Sequence, residues 1–280
     1  EDQAAINTVA CADVDGDGQD EVIYGADAAR LGLLDFAGKE RWHAEPPEFR
    51  GIRSDVITVF PADVNGDGRP EIVCGCLSWQ YLAYDATGEM LWKNVIYAHS
   101  ATVGCAVDLD KDGKDEVVGG NAYYCLNTID HDGKRLVKAD RLGPEQTAVA
   151  AADVDGDGQV EILLGTDGGE LICFATDGKR RWTANVGDRV TRIVCLRTPQ
   201  SGNGARILCA AESAHVFCFT GDGKRVWARS VGDGATDLAL VDSAGSNVIA
   251  TAAGSRGLLL LDLAGTPLAQ APTKGRAMRL

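Results

Sequence analysis

A nine-residue pattern of acidic side chains occurs four times in this chain of 280 residues. Each copy has Asp at positions 1 and 5, Asp or Asn at position 3, Gly at position 6 and Glu at position 9. Carboxylates at alternate positions of a tight turn bring their oxygens to one side, and glycine allows the sharp reversal. Such hard oxygen ligands suit Ca²⁺ better than Zn²⁺ or Cu²⁺. The pattern predicts about four calcium sites with these ligands: Asp13, Asp15, Asp17 and Glu21; Asp63, Asn65, Asp67 and Glu71; Asp108, Asp110, Asp112 and Glu116; Asp153, Asp155, Asp157 and Glu161.

Neither an EF-hand nor a metal-free turn accounts well for the acidic pattern. An EF-hand needs Glu at position 12, where the four copies hold Tyr24, Cys74, Gly119 and Leu164. An Asp-Gly turn without metal would account for one copy, but four copies in phase favour Ca²⁺. The formal net charge of −14 also needs compensation, and the eight positive charges of four Ca²⁺ ions would change it to −6.

The elements that position these residues form an internal repeat. The closing glutamates are 50, 45 and 45 residues apart, and a Gly followed by a strand that usually carries Trp lies downstream of each. Each repeat contains four short apolar segments separated by turn signals, which is typical of one propeller blade. No segment shows the spacing of an amphipathic helix. The sequence therefore predicts an all-β fold, a single β-propeller domain over residues 1–280 with six recognisable four-stranded blades, at about 5–45, 55–95, 100–140, 146–186, 189–230 and 234–270.

The last repeats and the end of the chain depart from this pattern. Residues 198–204 carry no carboxylate and residues 241–247 carry one, so the fifth and sixth blades are expected to fold without metal. Residues 274–280 resemble the start of another first strand, such as residues 189–194. This tail either closes the ring or begins a seventh blade that is cut short. Six blades are favoured, and a seventh stays open.

The composition limits the partners of such a fold. Apolar residues make up 45% of the chain and charged residues 24%, which is typical of a globular protein. Acidic residues outnumber basic residues 41 to 27, which argues against binding to nucleic acid or to an anionic membrane. No apolar run is long enough for a membrane span, so no membrane insertion is expected. The nine cysteines lie mostly in apolar strand segments and are expected to be small buried side chains.

The connections on the predicted face opposite the acidic loops are candidates for ligand binding. If the acidic loops occupy one rim, then the turns between second and third strands and the links between blades gather on the other face. Aromatic, Arg and His side chains there would hold a sugar or uronate by stacking and ion pairing, although such side chains are also common in loops that bind nothing. The candidate ligand-binding residues are His43, Arg50, Arg53, Trp79, Tyr81 and His99.

Several further aromatic side chains are expected to be structural. The tryptophans that recur at one position of the repeat are Trp42, Trp92, Trp182 and Trp227. They are expected to pack between blades. His215 lies in an apolar strand, so a core or inter-blade role is expected for it rather than catalysis. Of Tyr123 and Tyr124, one must point into the sheet, because neighbours in a strand alternate between its faces.

The acidic repeat resembles a known family. Asp-x-Asp-x-Asp-Gly-x-x-Glu followed by an apolar strand, repeated along the chain, looks like the FG-GAP family, the integrin-α-type repeat also called VCBS. Residues 33–42, Leu-Leu-Asp-Phe-Ala-Gly-Lys-Glu-Arg-Trp, are similar to the tail of PQQ-like quinoprotein repeats. The first resemblance implies a β-propeller with Ca²⁺ bound between the first two strands of a blade, and an extracellular, periplasmic or cell-surface location. Such propellers serve adhesion, carbohydrate binding and polysaccharide cleavage, so the family does not imply one function.

These observations favour a binding protein over an enzyme. The sequence has no Gly-x-Ser-x-Gly, no His-Glu-x-x-His and no phosphate loop, and no catalytic residue is assigned. We expect a secreted, Ca²⁺-stabilised propeller that binds carbohydrate or a protein partner through the face opposite the calcium loops. The alternative is a polysaccharide (uronate) lyase domain, which needs a base and a cation to neutralise the uronate carboxylate. The residues nominated for that role are His43, Arg50, Arg53 and His99.

Overall fold

The computed structural model describes residues 4–96, 99–123, 126–138, 144–197, 204–243, 246–278 and 280. Within these ranges every helix or strand is a β-strand. The chain divides into two compact units, Glu1–Gln146 and Thr147–Leu280. The expectation of one domain over the whole chain stays a prediction.

The strands form six four-stranded sheets, numbered 1 to 6 along the chain, and consecutive strands are neighbours in each sheet. Sheet 1 contains β1 (Ile6–Ala12), β2 (Glu21–Ala26), β3 (Arg30–Leu34) and β4 (Glu40–Ala44). Sheet 2 contains β5 (Val56–Ala62), β6 (Glu71–Cys76), β7 (Gln80–Tyr84) and β8 (Met90–Val95). Sheet 3 contains β9 (Ala101–Val107), β10 (Glu116–Asn121), β11 (Asn127–Ile129) and β12 (Arg135–Lys138).

The second unit repeats this arrangement. Sheet 4 contains β13 (Gln146–Ala152), β14 (Glu161–Thr166), β15 (Glu170–Ala175) and β16 (Arg180–Asn185). Sheet 5 contains β17 (Val190–Leu196), β18 (Arg206–Ala211), β19 (His215–Phe219) and β20 (Arg225–Ser230). Sheet 6 contains β21 (Asp237–Ser243), β22 (Ser246–Ala252), β23 (Leu258–Leu261) and β24 (Pro267–Ala271). These bounds agree with the six predicted four-stranded repeats.

Apolar side chains pack the sheets face to face within each unit. The middle strands are covered on both sides, and all residues of β6 and β14 are buried, as expected for continuous apolar runs. Fourth strands such as β4 alternate between exposed and half-buried residues. One apolar cluster joins sheets 1 and 2, a second joins sheets 2 and 3, and two more join sheets 4 to 5 and 5 to 6. The core therefore lies between successive sheets.

The repeated tryptophans pack between sheets, as the sequence predicts. Trp42 of sheet 1 donates its indole N–H to the carbonyl of Ala86 in sheet 2 at 2.8 Å. Its ring lies against Gly88, where an added Cβ would meet the ring at 2.9 Å. Trp182 makes the same contacts in the second unit, donating to Gly221 at 2.8 Å and lying against Gly223. The Gly and the Trp of the repeat are therefore partners across neighbouring sheets.

The C-terminal tail packs on sheet 6. Ala277 forms an isolated bridge with Gly254, and Thr236 Oγ1 donates to the Ala277 carbonyl at 2.8 Å. One repeat earlier, Thr191 Oγ1 donates to the carbonyl of Ala235 at 2.6 Å. The Ala277 carbonyl thus accepts the same threonine hydrogen bond after sheet 6 that the Ala235 carbonyl accepts after sheet 5. Whether the tail closes a ring or begins a seventh blade stays a prediction.

The cysteines of the described residues form no disulfide with one another. Those of β6, β15, β18 and β19 are buried, Cys105 and Cys195 are half-buried, and Cys11 is exposed. Burial raises the pKa of Cys173, Cys195 and Cys209 to about 12. Because the thiolate is the reactive form, these side chains are chemically inert in the fold. Cys125 lies outside the described residues.

Candidate functional sites

The first Asp of each acidic loop folds its own loop. The loops, numbered 1 to 4, are residues 13–21, 63–71, 108–116 and 153–161, each between the first and second strands of a sheet. In loop 1, Asp13 Oδ1 accepts the N–H groups of Gly16 and Asp17 at 2.8 and 3.1 Å, and Oδ2 accepts that of Gly18 at 2.9 Å. Loop 2 has the same three bonds to Asp63. This carboxylate therefore sets the turn that brings the later carboxylates together.

The closing Glu of each loop is buried and oriented. One oxygen, Oε2, accepts the backbone N–H of loop position 2 in all four loops, at 3.1, 3.0, 2.8 and 3.0 Å in chain order. The exposed fractions of the four side chains are between 0% and 6%. Burial raises the pKa of each of them. The bond to Oε2 leaves the second oxygen, Oε1, directed into the loop.

An arginine covers the Glu Oε1 in loops 1 and 4. Arg41 contacts Asp15, and its Nη2 lies 3.5 Å from Glu21 Oε1. Arg181 contacts Asp155, and its Nη1 lies 2.9 Å from Glu161 Oε1. Both arginines are the second residue of a fourth strand and directly precede a repeated Trp. Sequence reasoning missed them, although an Arg-Trp pair in these repeats is a signal that could have indicated them.

Loops 2 and 3 have no such arginine in the described residues. In loop 2, Asn65 Nδ2 donates to Glu71 Oε1 at 2.5 Å. In loop 3, His131 Nδ1 lies 3.7 Å from Glu116 Oε1. Leu91 and Leu136 occupy the fourth-strand position that Arg41 holds in sheet 1. The four loops therefore share a backbone design but differ in what compensates their negative charge.

The donor sets of the loops fit a cation with oxygen ligands. Three carboxylate oxygens lie within 4.8 Å of one another in loop 1 (Asp13, Asp15, Asp17), loop 3 (Asp108, Asp110, Glu116) and loop 4 (Asp153, Asp155, Glu161). The Oε1 atoms of Glu116 and Glu161 are buried without a hydrogen bond. Glu116 Oε1 has no arginine beside it among the described residues, so it is the acceptor most in need of a positive partner. The Arg181 contact to Glu161 is an ion pair without hydrogen-bond alignment. Among the described residues, loop 2 forms no such three-carboxylate cluster, because Asn65 contributes an amide.

Four aromatic rings form a continuous row at the opposite end of the sheets. Phe49, Trp79, His99 and Tyr123, here called the aromatic row, have successive ring centroids 6.2, 5.5 and 3.9 Å apart. Phe49 and His99 lie in links between sheets, and the other two lie in turns between second and third strands. Because strands alternate in direction, these connections are at the end opposite the acidic loops. The Arg50 guanidinium lies 5.5 Å from the Phe49 centroid.

The backbone beneath the aromatic row is strained. Arg50, Trp79 and His99 have positive φ angles of 54°, 69° and 92°. At the turn position of Trp79, sheet 4 has Gly169, which adopts this conformation without steric cost. A bulky side chain there is a genuine outlier, of a kind that clusters at functional sites. A buried network supports the turn, in which Gln80 Nε2 donates to Ser78 Oγ and to a backbone carbonyl, each at 2.9 Å.

Comparison with known proteins identifies the fold and the repeat. Residues 13–74 match the family model described as the FG-GAP-like repeat, a segment that contains loops 1 and 2. The chain is similar to the crystal structure of BBS1N in complex with ARL6DN, soaked with lead, with a TM-score of 0.77, 11% identity, and coverage of 99% of this chain and 85% of that one. It is similar to the Dos1 propeller with a TM-score of 0.73 and 13% identity, over 99% of this chain and 72% of that one. The chain is also similar to the computationally designed Ika8 protein, with a TM-score of 0.62 and 16% identity, over 99% of this chain and 90% of that one.

The chain has a β-propeller fold, and its residues 13–74 are similar to the FG-GAP-like repeat. The six sheets are the blades that the sequence predicts. No curated protein matches the chain, and the resemblance of residues 33–42 to PQQ-like repeats is not tested by these matches. Among the described residues, no helix has the length and apolar character of a membrane span.

Two of the six predicted ligand-binding residues belong to the aromatic row of this propeller, and a third adjoins it. Trp79 and His99 are members, and Arg50 lies beside Phe49. The sequence reasoning missed Phe49 and left open which of Tyr123 and Tyr124 points into the sheet. Tyr123 is 42% exposed, whereas Tyr124 lies outside the described residues.

The remaining three residues lie elsewhere. Tyr81 is fully buried and donates its hydroxyl to the carbonyls of Val103 and Gly120, at 2.7 and 2.9 Å. This corrects its assignment to the ligand surface, because β7 turns that side chain towards sheet 3 and not to solvent. Arg53 forms a two-point contact with Asp55, at 2.5 and 2.8 Å. His43 Nδ1 lies 2.8 Å from Glu40 Oε1.

His43 belongs to a separate polar cluster on sheet 1. Tyr24 donates its hydroxyl to Glu40 Oε2 at 2.9 Å, and Arg30 Nη2 lies 2.7 Å from the same oxygen. Contacts with His43, Arg30 and Tyr24 lower the pKa of Glu40 to about 2. Burial raises the pKa of Tyr24. A groove of about 550 Å³ adjoins this cluster, but the cluster satisfies its own charges and presents no free base.

Predicted to have a core or inter-blade role, His215 is half-buried in β19. Its Nδ1 lies 2.7 Å from the Ser213 carbonyl, and its ring centroid is 5.6 Å from that of Phe217. These contacts are structural, in agreement with the prediction.

Proposed function

We propose that this propeller is a Ca²⁺-stabilised binding module that recognises carbohydrate or a protein partner along the aromatic row. The observation that carries the proposal is the row itself, in which four rings from three blades touch in sequence at one end of the sheets. Aromatic faces stack on sugar rings, and Trp and Tyr are also the side chains that dominate protein interfaces. The neighbour BBS1N was crystallised with ARL6DN, which supports a partner-binding role for a fold of this kind.

The turn that carries Trp79 is rigid, and it has positive φ in other repeats too, at Ala29, Gly169 and Ala214. Trp79 is half-buried and also packs against the apolar cluster of sheets 2 and 3. A Trp at positive φ costs stability that a Gly would not, and the buried Ser78–Gln80 network holds the turn in place. Ligand binding that needs no rearrangement of these rings loses less entropy, which raises affinity. The row is therefore a preorganised surface in this proposal.

Calcium in the acidic loops would stabilise the scaffold of this module. The residues that would hold it are the carboxylates of loops 1 to 4 and Asn65. The ion would supply positive charge to buried carboxylate oxygens such as Glu116 Oε1. Millimolar calcium outside cells would saturate even weak loops of this kind. This agrees with the proposed secreted or cell-surface location, in which buried thiols of high pKa would also resist oxidation.

The test of the proposal is ligand binding by a Trp79→Ala variant. A glycan array and a pull-down from extracellular fluid would supply candidate ligands, and each hit would be titrated against both proteins. Loss of Trp79 is expected to weaken binding by about 1–3 kcal/mol, as for a stacked aromatic at an interface. Arg53→Ala is expected to have a smaller effect, because its guanidinium is already paired with Asp55.

A matched control keeps this test specific. Phe36 is 73% exposed but lies in a turn at the acidic-loop end of sheet 1. Phe36→Ala removes an exposed aromatic of similar kind and is expected to leave binding unchanged. Equal losses in the Phe36 and Trp79 variants would place the ligand elsewhere on the propeller.

The uronate lyase gains no support from the geometry. The four residues nominated for it do not form one group: His43 pairs with Glu40, Arg53 pairs with Asp55, and only Arg50 and His99 lie at the aromatic row. Incubation with uronate polymers would show the ultraviolet absorbance of an unsaturated product if the lyase assignment were right. We expect no such absorbance.

A further inference from the structure

Loop 3 differs from the other acidic loops in the side chain that faces its carboxylates. His131 lies in the turn between β11 and β12, where repeat 1 has Phe36. Its Nδ1 is 3.7 Å from Asp112 Oδ2 and 3.7 Å from Glu116 Oε1. One ligand atom from each of the three side chains lies within 4.8 Å of the other two. Loop 3 therefore combines two carboxylates with an imidazole nitrogen.

The facing atoms of this group have no hydrogen-bond partner. The Glu116 side chain is 1% exposed, and its Oε1 is buried without a hydrogen bond. His131 Nδ1 is likewise buried without a hydrogen bond. A separation of 3.7 Å is too long for a hydrogen bond between them. Two polar atoms that are buried, unpaired and turned toward the same small space point to a third species between them.

We propose that Asp112, Glu116 and His131 bind a borderline divalent cation of the Zn²⁺ type, so that loop 3 differs in metal selectivity from the other loops. Imidazole nitrogen is a preferred ligand of Zn²⁺, whereas Ca²⁺ takes oxygen ligands. Two zinc–ligand bonds of about 2.0–2.1 Å span up to about 4.2 Å, and both His131 separations of 3.7 Å are shorter than that. Three protein ligands leave a fourth position for water or for Asp110.

Glu116 couples this site to the oxygen-only cluster of the same loop. It belongs both to the group with His131 and to the group with Asp108 and Asp110. The two cations therefore compete for one carboxylate, so occupancy of loop 3 depends on which metal is in excess. The inference concerns loop 3 alone and does not depend on the aromatic row.

The experiment titrates Zn²⁺ into the full chain without Ca²⁺ and again at increasing Ca²⁺ concentrations, with calorimetry and metal counting. Because the two ions share Glu116, Ca²⁺ is expected to weaken the apparent affinity for Zn²⁺. Wild-type protein is expected to bind one tight equivalent of Zn²⁺, and Co²⁺ is expected to give a visible absorption band at the same site. His131→Phe introduces the residue that repeat 1 has at this position, and it is expected to weaken Zn²⁺ binding at least about tenfold, since even the loss of a supporting contact has that effect. His131→Gln also removes the imidazole but changes the shape of the side chain less, so it replaces the Phe variant in the titration if that variant is unstable.

Two controls test whether an effect of the His131 substitutions is specific to Zn²⁺ binding at loop 3. His215→Ala removes a half-buried histidine far along the chain, in β19, and should leave the titration unchanged. The melting temperature in Ca²⁺ without Zn²⁺ should be unaffected by the substitution at His131. If the His131 variants bind Zn²⁺ as tightly as the wild type, or if the wild type binds none, then His131 is an ordinary counter-charge and the proposal fails.

Discussion

Glu40 is the most perturbed carboxylate of sheet 1, and its contacts predict a pH effect. His43, Arg30 and Tyr24 lower its pKa from 4.5 to about 2, so the folded state favours the ionised form. This stabilisation is fully present above the unfolded pKa of 4.5 and is lost as the pH falls towards 2. Glu40→Gln should therefore destabilise the protein at pH 5 and above, and the difference in free energy of unfolding should shrink between pH 5 and pH 3. Urea denaturation at several pH values checks this, and a constant difference would contradict it.

Single substitutions in the acidic loops are expected to remove calcium from one loop without affecting the others. Asp17→Ala in loop 1 and Asp157→Ala in loop 4 should each remove one Ca²⁺ while the sheets stay folded, because each loop is held by its own bonds from Asp13 or Asp153. Metal counting on the purified variants is the measurement, with circular dichroism as the control for folding. Loss of all bound calcium from either substitution would show that the loops are coupled.

Residue types predicted the acidic loops, but not what compensates their charge. Asp and Glu at fixed spacing indicate a loop by themselves, because all the acidic side chains come from nine consecutive residues. Arg41 and Arg181 approach only through the fourth strand of the sheet, and a contact of this range depends on how the strands pair. Tyr81 was misplaced for a related reason, since the face to which a strand residue points depends on a register that the sequence alone leaves open.

At the level of the elements, the Gly–Trp contact predicts different costs for two similar substitutions. Gly88 has a φ of +86°, and a Cβ added there would lie 2.9 Å from the Trp42 ring. Gly38 has a φ of +81°, and a Cβ added there would have no atom within 4 Å. Alanine at either position meets the cost of a left-handed backbone, about 1–2 kcal/mol. Gly88→Ala must also displace the tryptophan, which should add about 1–3 kcal/mol. Denaturant unfolding of the two variants measures the difference.

The control in this comparison is the Gly38 variant itself. Gly38 has the same backbone conformation in the same turn of the neighbouring repeat. Its substitution therefore measures the cost of the left-handed backbone alone, without the contact to Trp42. Equal destabilisation by the two substitutions would show that the Trp42 contact contributes nothing to the stability of sheets 1 and 2.

The strands were predictable because the repeat marks both of their ends. Acidic loops and the Gly before the repeated Trp fix the turns, and the observed strands of sheets 1 to 5 lie within the predicted repeats. The aromatic row was predictable only in part. Trp79 and His99 are conspicuous in the sequence, but Phe49 joins them through the path of the link between sheets 1 and 2, which no local pattern specifies.

For the whole molecule, the charge distribution predicts that calcium stabilises the fold. The formal net charge is −14, and the buried closing glutamates repel their neighbours when no cation is bound. Binding to the native state alone adds RT ln(1 + [L]/Kd) to the free energy of unfolding. Excess chelator should therefore lower the melting temperature by several degrees.

Sodium chloride at matched ionic strength is the control for this measurement. Salt screens exposed charges without occupying a site. If NaCl restores the melting temperature as fully as Ca²⁺ does, or if the chelator leaves the midpoint unchanged, the assignment of the loops to calcium is wrong.

The burial of the thiols gives the protein a set of internal probes of local opening. Described cysteines lie in sheets 1 to 5, and sheet 6 has none. Cys11 is exposed and should react with an alkylating reagent at once, whereas Cys74, Cys173 and Cys209 can react only when their sheets transiently open. Brief alkylation followed by peptide mass spectrometry would therefore record the order in which the sheets open, with no label added by mutation.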